Sequence, residues 1–290
     1  MKLKRKRLGC FGTFFIILLI ILIVAGILFI DSNTRLVTTE YELFFSNLPE
    51  AFDGYRIVLL ADMHGAEHGR DNEALVEAVR AAKPDIIAIA GDLIDRYQTS
   101  KPVERQLEIA QTLVSQLVKV APVYYVTGNH EWDSGAVRQL LAMLEENGVN
   151  VLRNQYEQLA SGGETIILAG VDDPGGPADM IKPEEFINDI QQREDADFIV
   201  VMSHRNYNLP LYSRLGVDLI LSGHAHGGMV RLPFTDGLVG PQQDLFPTYT
   251  SGVYTAGNTS MVVSRGLGNH FGWTRFLNNP QVVVVVLRAE

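Results

Sequence analysis

The sequence predicts an α/β fold in which two stacked mixed β-sheets are flanked by helices and preceded by one transmembrane helix. Between residues 55 and 147, short Val/Ile/Leu runs alternate with amphipathic helical patterns, as expected for strands covered on both faces. Beyond residue 160 the apolar runs follow one another more closely, and so many strands favour two sheets over one. An uncharged apolar segment near the N-terminus supplies the third observation.

That segment, residues 8–30, is long enough to cross a bilayer. Its 23 residues would form a helix of about 34 Å, against a hydrocarbon core of about 30 Å. A cleaved signal peptide has a shorter apolar region of about 7–15 residues and a small-residue cleavage site. A buried core helix is seldom so long and so uniform. We therefore expect a membrane anchor.

The charges that flank the anchor predict its orientation. Five Lys and Arg residues lie within residues 1–7, whereas Asp31, Glu40 and Glu42 follow the span. The positive-inside rule then places a basic tail (1–7) in the cytoplasm and residues 31–290 outside it. The expected protein is single-pass in the cell membrane, with an anchor at 8–30 and an extracytoplasmic catalytic domain at 31–290.

The remainder of the chain is acidic. The whole sequence has 24 basic and 34 acidic residues, and five of the basic ones precede the anchor, which leaves a net charge of −15 outside. Such a domain is not expected to bind nucleic acid, but it could act on anionic substrates if metal ions supply positive charge. Cys10 is the only cysteine, so no disulfide is expected. No feature of the sequence indicates an oligomeric state.

The apolar patterns predict the elements of the domain in order. The predicted helices are Asn72–Ala82, Pro102–Lys119 and Val137–Asn147. The predicted strands are Val37–Phe45, Tyr55–Ala61, Asp85–Ala90, Pro122–Thr127, Thr165–Val171, Asp197–Ser203, Val217–Ser222, Gly228–Leu232, Val253–Ala256, Met261–Ser264 and Val282–Leu287. Residues 233–250 lack periodicity and are rich in Gly and Pro, which predicts a long functional loop.

Polar side chains follow five of the predicted strands. They are Asp62 and His64, Asp92, Asn129 and His130, His204, and His224 and His226. A single Asp or Asn in such a place more often caps a helix, and a single His is more often structural. However, five of the seven histidines lie at these strand ends, where α/β sheets bind ligands. The pattern therefore favours one shared site.

The stretch "LSGHAHGGMVRLP" (221–233) places two of these histidines one residue apart. In an extended backbone residues i and i+2 point the same way, so both imidazoles would leave one face of the chain. Gly223, Gly227 and Gly228 would permit unusual backbone angles and a close approach by another group.

The residue types at the strand ends indicate a metal site. Imidazoles, carboxylates and an amide without any thiolate suit Mn, Fe, Zn or Mg, with Mn the first expectation. Seven ligands are too many for one ion, which predicts two metal ions that share a carboxylate. The seven candidate ligands are Asp62, His64, Asp92, Asn129, His204, His224 and His226.

The motifs "DMH", "GDLID", "GNHE", a late "SH" and "GHAH" resemble, in order and spacing, those of calcineurin-like metallophosphoesterases. The resemblance covers about residues 55–270. The surrounding segments "LPEAFDGYRIVLLADMH", "LFPTYTSGVY" and "SRGLGN" are similar to the membrane-associated YkuE/YaeI-like phosphodiesterase subgroup. It implies a four-layer αββα sandwich, in which Asp62, His64 and His226 hold one metal, Asp92 bridges, and Asn129, His204 and His224 hold the other.

The resemblance also implies a mechanism. A metal-bridging hydroxide would attack the phosphoester, and His130, oriented by Asp95, would assist the leaving oxygen. Arg96 would bind phosphate, although an ordinary surface Arg at a helix start explains this residue equally well. His270 would touch substrate, although an exposed loop residue is the simpler interpretation. Glu131 would support the site from behind.

The expected function is thus a membrane-anchored, dinuclear metal-dependent phosphohydrolase of phosphodiesterase type, acting on an envelope or lipid-linked substrate. Two alternatives stay open. One is a metal-binding sensor without useful turnover, and the other is a UDP-diacylglucosamine-type pyrophosphatase, whose chemistry belongs on the cytoplasmic face.

Overall fold

The computed structural model describes residues 10–96, 101–177, 180–194, 197–240, 244–269 and 275–290. The predicted basic tail and His270 lie outside them. The helices are α1 (Cys10–Thr34), α2 (Glu73–Ala81), α3 (Val103–Leu117), α4 (Asn129–Ser134), α5 (Val137–Glu146), α6 (Pro183–Arg193) and α7 (Leu209–Arg214). The strands are β1 (Val37–Phe45), β2 (Arg56–Leu60), β3 (Ile86–Ala90), β4 (Val123–Val126), β5 (Asn150–Val151), β6 (Gln155–Ser161), β7 (Glu164–Val171), β8 (Ile199–Ser203), β9 (Leu219–Ser222), β10 (Gly252–Ala256), β11 (Thr259–Val263) and β12 (Gln281–Ala289).

The strands form two mixed six-stranded sheets, as predicted. The first has the order β1-β12-β2-β3-β4-β5, in which only the β12–β2 pair is antiparallel. The second has the order β10-β11-β9-β8-β7-β6, with antiparallel pairs at its two edges and parallel strands in the middle. The parallel strands in the middle of each sheet therefore have their carboxyl ends on the same side of that sheet, where a site can form.

The two sheets pack face to face, and helices cover their outer faces. In β2, Ile57 and Leu59 lie in the apolar layer between the sheets, while Val58 and Leu60 face the layer beneath α2, α3 and α5. A third apolar layer joins the second sheet to α6 and α7. Because both faces of each central strand are buried, its sequence is continuously apolar instead of alternating.

One predicted strand is wrong. Residues 228–232 form no strand, and only Val230 and Arg231 make isolated bridges, with Phe276 and Gly237 respectively. The positive φ of Gly228 and Met229 breaks the extended backbone there. Sequence analysis also missed α4, α6, α7, β5 and β6. Within its described residues, the predicted loop 233–250 contains no helix or strand beyond isolated bridges.

The N-terminal helix α1 is long and apolar enough to cross a membrane between Phe11 and Thr34, by length and composition. Its large apolar side chains are exposed, apart from the half-buried Leu28. Its last turn is hydrogen-bonded to the domain: Asn33 Nδ2 donates to Arg275 O (2.8 Å), and Asn279 Nδ2 donates to Asp31 O (2.8 Å). Only two residues separate α1 from β1, so the helix is joined to the domain without a flexible linker.

The sheet register shows where α1 enters the domain. Val37 at the start of β1 pairs with Gln281 at the start of β12. Since β12 runs antiparallel to β2, with Val283 opposite Leu59, the start of β12 lies beside the end of β2. The apolar helix therefore joins the domain at the end of the first sheet where β2 finishes, and Asp62 and His64 directly follow β2.

Candidate metal centre

The ends of β2, β3 and β4 in one sheet and of β8 and β9 in the other converge on a single buried cluster. Within the described residues, three groups of side chains bring ligand atoms to within 4.8 Å of one another. The first is Asp62, His64, Asp92 and His226; the second is Asp92, His204 and His224; the third is His64, Asp95 and His130. All these side chains are buried, and Asp92 belongs to the first two groups.

The backbone at these strand ends is unusual. Asp62, His64, Asp92, His224 and His226 all have positive φ, between 46° and 67°. Non-glycine residues seldom adopt this conformation, which costs of order 1 kcal/mol or more and is found mostly where surrounding contacts and a functional site require it. The turns that contain Asp62, His64 and Asp92 are hydrogen-bonded to each other: Asp62 N–H donates to Gly91 O (3.1 Å) and His64 N–H to Asp92 O (3.0 Å).

The first group surrounds a point between the two sheets. His64 Nε2 lies 3.0 Å from His226 Nε2 and 3.8 Å from Asp92 Oδ2, and His226 Nε2 lies 3.8 Å from Asp62 Oδ1. The two imidazole rings are stacked with centroids 4.8 Å apart. Both Asp62 carboxylate oxygens accept the His224 backbone N–H at 3.0 Å, which fixes this carboxylate against the opposite sheet.

The second group shares the same carboxylate. His204 Nε2 lies 3.2 Å from Asp92 Oδ2, 3.2 Å from Asn129 Oδ1 and 3.2 Å from His224 Nδ1. The other ring nitrogen of His204, Nδ1, donates to Ala90 O (2.8 Å), so Nε2 is the atom that faces the cluster. Asn129 is half-buried at the start of α4.

This donor set fits divalent metal ions. His226 Nε2 and His64 Nε2 lie 3.0 Å apart and face the carboxylates of Asp62 and Asp92, as ligands around one cation do. Burial and the neighbouring His64 lower the pKa of His226, which keeps its imidazole neutral, as a metal ligand must be. Burial raises the pKa of Asp62 to about 7, and the negative charge of Asp92 adds to this rise, while the charge of His204 opposes it.

His130 lies beside the cluster and is held by Asp95. Its Nδ1–H donates to Asp95 Oδ1 at 2.6 Å, and its Nε2 lies 3.9 Å from Asp92 Oδ2. Burial opposes protonation of His130, but the hydrogen bond to Asp95 and the charge of Asp92 outweigh it and raise its pKa. The pair thus presents Nε2 toward the candidate ligands in a fixed orientation.

Glu131 supports the centre from behind. This fully buried carboxylate accepts four backbone N–H groups, those of Gly128 (2.7 Å), Asp92 (3.0 Å), Leu93 (2.6 Å) and Ile94 (3.2 Å). It therefore ties the turn after β3 to the turn after β4. Burial raises its pKa to about 7.

The structure adds a pair that sequence analysis did not single out, Arg205 and Asp173. Arg205 Nε donates to Asp173 Oδ2 (2.6 Å) and Nη2 donates to Asp173 Oδ1 (3.1 Å), while Nη1 lies 3.3 Å from His224 Nε2. Both residues line a cavity of about 380 Å³ that reaches His204. The only signal in the sequence was the position of Arg205 directly after His204.

The paired histidines do not adopt the predicted geometry. His224 and His226 have φ of 67° and 47° instead of extended angles, and His226 begins a 3-10 turn. They consequently join different groups, one with His204 and the other with His64. The predicted close approach at the glycines is present: a Cβ at Gly228 would overlap the Gly237 backbone, and Gly228 has a φ of +69°.

Arg96 lies at the rim. Its backbone N–H donates to Asp95 Oδ1 (2.8 Å), and its half-exposed guanidinium lies 3.9 Å from Asp133 Oδ2. The predicted role of Arg96 with phosphate therefore stays a prediction, and that of His270 lies outside the described residues.

The family model that matches this sequence is that of the calcineurin-like phosphoesterases, over residues 55–228. The chain belongs to this family. It is therefore a metallophosphoesterase, an enzyme class that hydrolyses phosphoester bonds, and the resemblance seen in its motifs is confirmed. The matched region contains every candidate ligand and both His130 and Asp95.

Two relatives illustrate the likeness. The metallophosphoesterase YkuE of Bacillus subtilis is 28% identical over 255 residues, covering 87% of this chain and 85% of that protein. A "transmembrane protein with metallophosphoesterase domain" of Danio rerio is 28% identical over 266 residues, covering 86% of this chain and 56% of its own. The chain thus spans most of the bacterial relative and about half of the animal one.

Among solved structures, the Thermus thermophilus sulfate thiohydrolase SoxB superposes with a TM-score of 0.51 at 14% identity, covering 83% of this chain and 57% of that one. At this identity the likeness shows a shared fold.

Proposed function

We propose that this protein is a membrane-anchored phosphohydrolase of phosphodiesterase type that works with two divalent metal ions. The observation that supports it most is the pair of ligand groups that share Asp92. Asp62, His64 and His226 would hold one ion with Asp92, and Asn129, His204 and His224 would hold the other. Mn is the first candidate, ahead of Fe, Zn and Mg.

When bound, the two cations would lower the pKa of a water nucleophile and neutralise the phosphate charge. The chain's own residues would do the rest. His130 presents Nε2 to the cluster and would donate a proton to the leaving oxygen, because its Nδ1 is held by Asp95. Arg205, pinned by Asp173 beside His224, would hold a non-bridging phosphate oxygen with its guanidinium.

The position of the anchor supports an envelope or lipid-linked substrate. The apolar helix joins the first sheet at the end where the candidate metal ligands follow the strands, so the site would lie close to the bilayer. By the charges flanking the helix, the domain would lie outside the cytoplasm, which disfavours a pyrophosphatase of cytoplasmic nucleotide-linked lipids.

The test is hydrolysis by the full chain in detergent, with Mn²⁺ added, of a chromogenic phosphodiester and a phosphomonoester in parallel. We expect faster turnover of the diester. Phosphodiester phospholipids are tested in the same way. If the protein binds metal but hydrolyses none of these substrates, the metal-binding sensor is favoured instead. His130→Ala separates the two functions, because it should leave the metal content intact and abolish most turnover only if the protein is a catalyst.

A further inference from the structure

Four large apolar side chains are exposed on the loop that follows the paired histidines. We name Leu232, Phe234, Leu245 and Phe246 the apolar loop patch. Phe234 is fully exposed, and Leu245 and Phe246 are 72% and 74% exposed. Val239 and Leu245 form a bridge, and Phe246 N–H donates to Leu238 O (3.0 Å), so residues 238–239 and 245–246 lie side by side. Several large apolar side chains exposed on one loop indicate an interaction site.

The base of the loop is hydrogen-bonded to the segment that also contacts the last turn of α1. Val230 bridges Phe276, and Arg231 N–H donates to Phe276 O (2.9 Å). The next residue along that segment, Leu277, donates its N–H to Ser32 Oγ (2.7 Å) in the last turn of α1. Two hydrogen-bonded steps therefore connect the base of the apolar loop patch to the apolar helix.

The level of this contact relative to a bilayer follows from the helix geometry. The apolar run ends at Ile30, and Thr34 lies about 6 Å further along the axis at 1.5 Å per residue. The headgroup layer on each side of the hydrocarbon core is about 5–7 Å thick. Residues 31–34, and the segment 275–279 bonded to them, therefore lie within that layer if α1 spans the membrane.

We propose that the apolar loop patch is a second membrane-contacting surface, which inserts into the boundary between headgroups and acyl chains beside α1. The proposal rests on the proposed membrane anchoring. Exposed Phe and Leu side chains that reach this layer would exchange water for lipid, which is favourable. Arg231, at the base of the loop, also donates through Nη1 to Gly227 O (3.1 Å), the residue after His226, so a patch inserted in the bilayer would hold that end of the domain near the membrane.

Nitroxide spin labels on the full chain in phospholipid vesicles test this. Cys10→Ser removes the only cysteine, and single cysteines are then introduced as Phe234→Cys, Phe246→Cys, Ile20→Cys and Glu146→Cys. Ile20 lies midway along α1. Glu146 is exposed at the end of α5. It lies near the end of the first sheet opposite the metal centre, because the next strand begins at Asn150 beside the start of β4. Each label's collision with lipid-soluble oxygen and with a water-soluble nickel chelate is measured.

We expect the labels at positions 234 and 246 to lose most of their collisions with the nickel chelate and to gain collisions with oxygen, while the label at 146 stays aqueous. A deeply immersed label at 20 with aqueous labels at 234 and 246 would overturn the inference and leave the anchor standing. An aqueous label at 20 would overturn the anchoring itself. Mutual broadening of the labels at 234 without oxygen access would instead assign the patch to contact with a second copy of the chain.

Discussion

Asp95 Oδ1 lies 2.6 Å from His130 Nδ1, and this contact fixes which imidazole nitrogen faces the candidate metal ligands. Replacing His130 by Ala should lower kcat by about 100- to 10,000-fold, the range for loss of a general acid. Asp95→Asn should lower kcat by about 10- to 100-fold, because Asp95 only orients the imidazole ring. Metal content should be unchanged in both variants. Equal turnover of wild type and His130→Ala would contradict this role.

Glu131 should matter for stability more than any exposed glutamate. Glu131→Ala leaves four buried backbone N–H groups without their acceptor, and we expect a loss of about 3–5 kcal/mol in the free energy of unfolding. Glu131→Gln keeps one carbonyl oxygen and should lose less. Glu145→Ala, at an exposed position on α5, is the matched control and should change stability by less than about 0.5 kcal/mol. Thermal unfolding of metal-loaded protein in detergent measures all three.

Arg205 should affect substrate binding. Arg205→Ala removes a guanidinium held 3.3 Å from His224 Nε2, and we expect KM for the phosphodiester to rise about 10- to 100-fold, the value of one or two hydrogen bonds to a charged group. The control is Arg153→Ala, because Arg153 forms the equivalent contact with the neighbouring Asp172 (2.9 Å), whose carboxylate is not bound to Arg205. Steady-state kinetics would refute the assignment if both variants raised KM equally.

His68 should make stability depend on pH. Burial lowers the pKa of His68, whose Nε2 donates to Leu267 O at 3.0 Å, below its usual value near 6.5. The unfolded chain therefore takes up this proton first as the pH falls, and stability is lost below about pH 6.5 until the folded-state pKa is reached. When the pH is lowered from 7.5 to 5.5, the free energy of unfolding should fall less for His68→Gln than for the wild type. An identical pH dependence for the two proteins would show that His68 does not contribute.

The sequence predicted the central strands well, because each is continuously apolar and ends in a polar residue. Ile57–Leu60 and Ile86–Ala90 are buried on both faces, which only a covered parallel sheet provides. The convergence of the strand ends followed from the same topology. By contrast, β6 (Gln155–Ser161) has mostly exposed polar side chains at a sheet edge, and its pairing with β7 decides its conformation.

The detailed geometry of the site could not be predicted, because it depends on contacts between distant residues. Spacing alone suggested an extended backbone for His224 and His226, whereas the turn is set by Asp62 accepting the His224 N–H from another sheet. Asp173 and Arg205 are 32 residues apart and meet only because β7 and β8 are neighbours. Likewise, no local pattern could place Arg231 beside Phe276 near the end of α1.

The most direct test of the proposed dinuclear centre is the number of metal ions bound per full-length chain, measured on protein loaded with Mn²⁺ and freed of excess metal. The proposal predicts two equivalents in the wild type and a large loss in Asp92→Asn, since both ligand groups share this carboxylate. One equivalent in the wild type, or none, would contradict the proposal that the side chains gathered around Asp92 hold two metal ions.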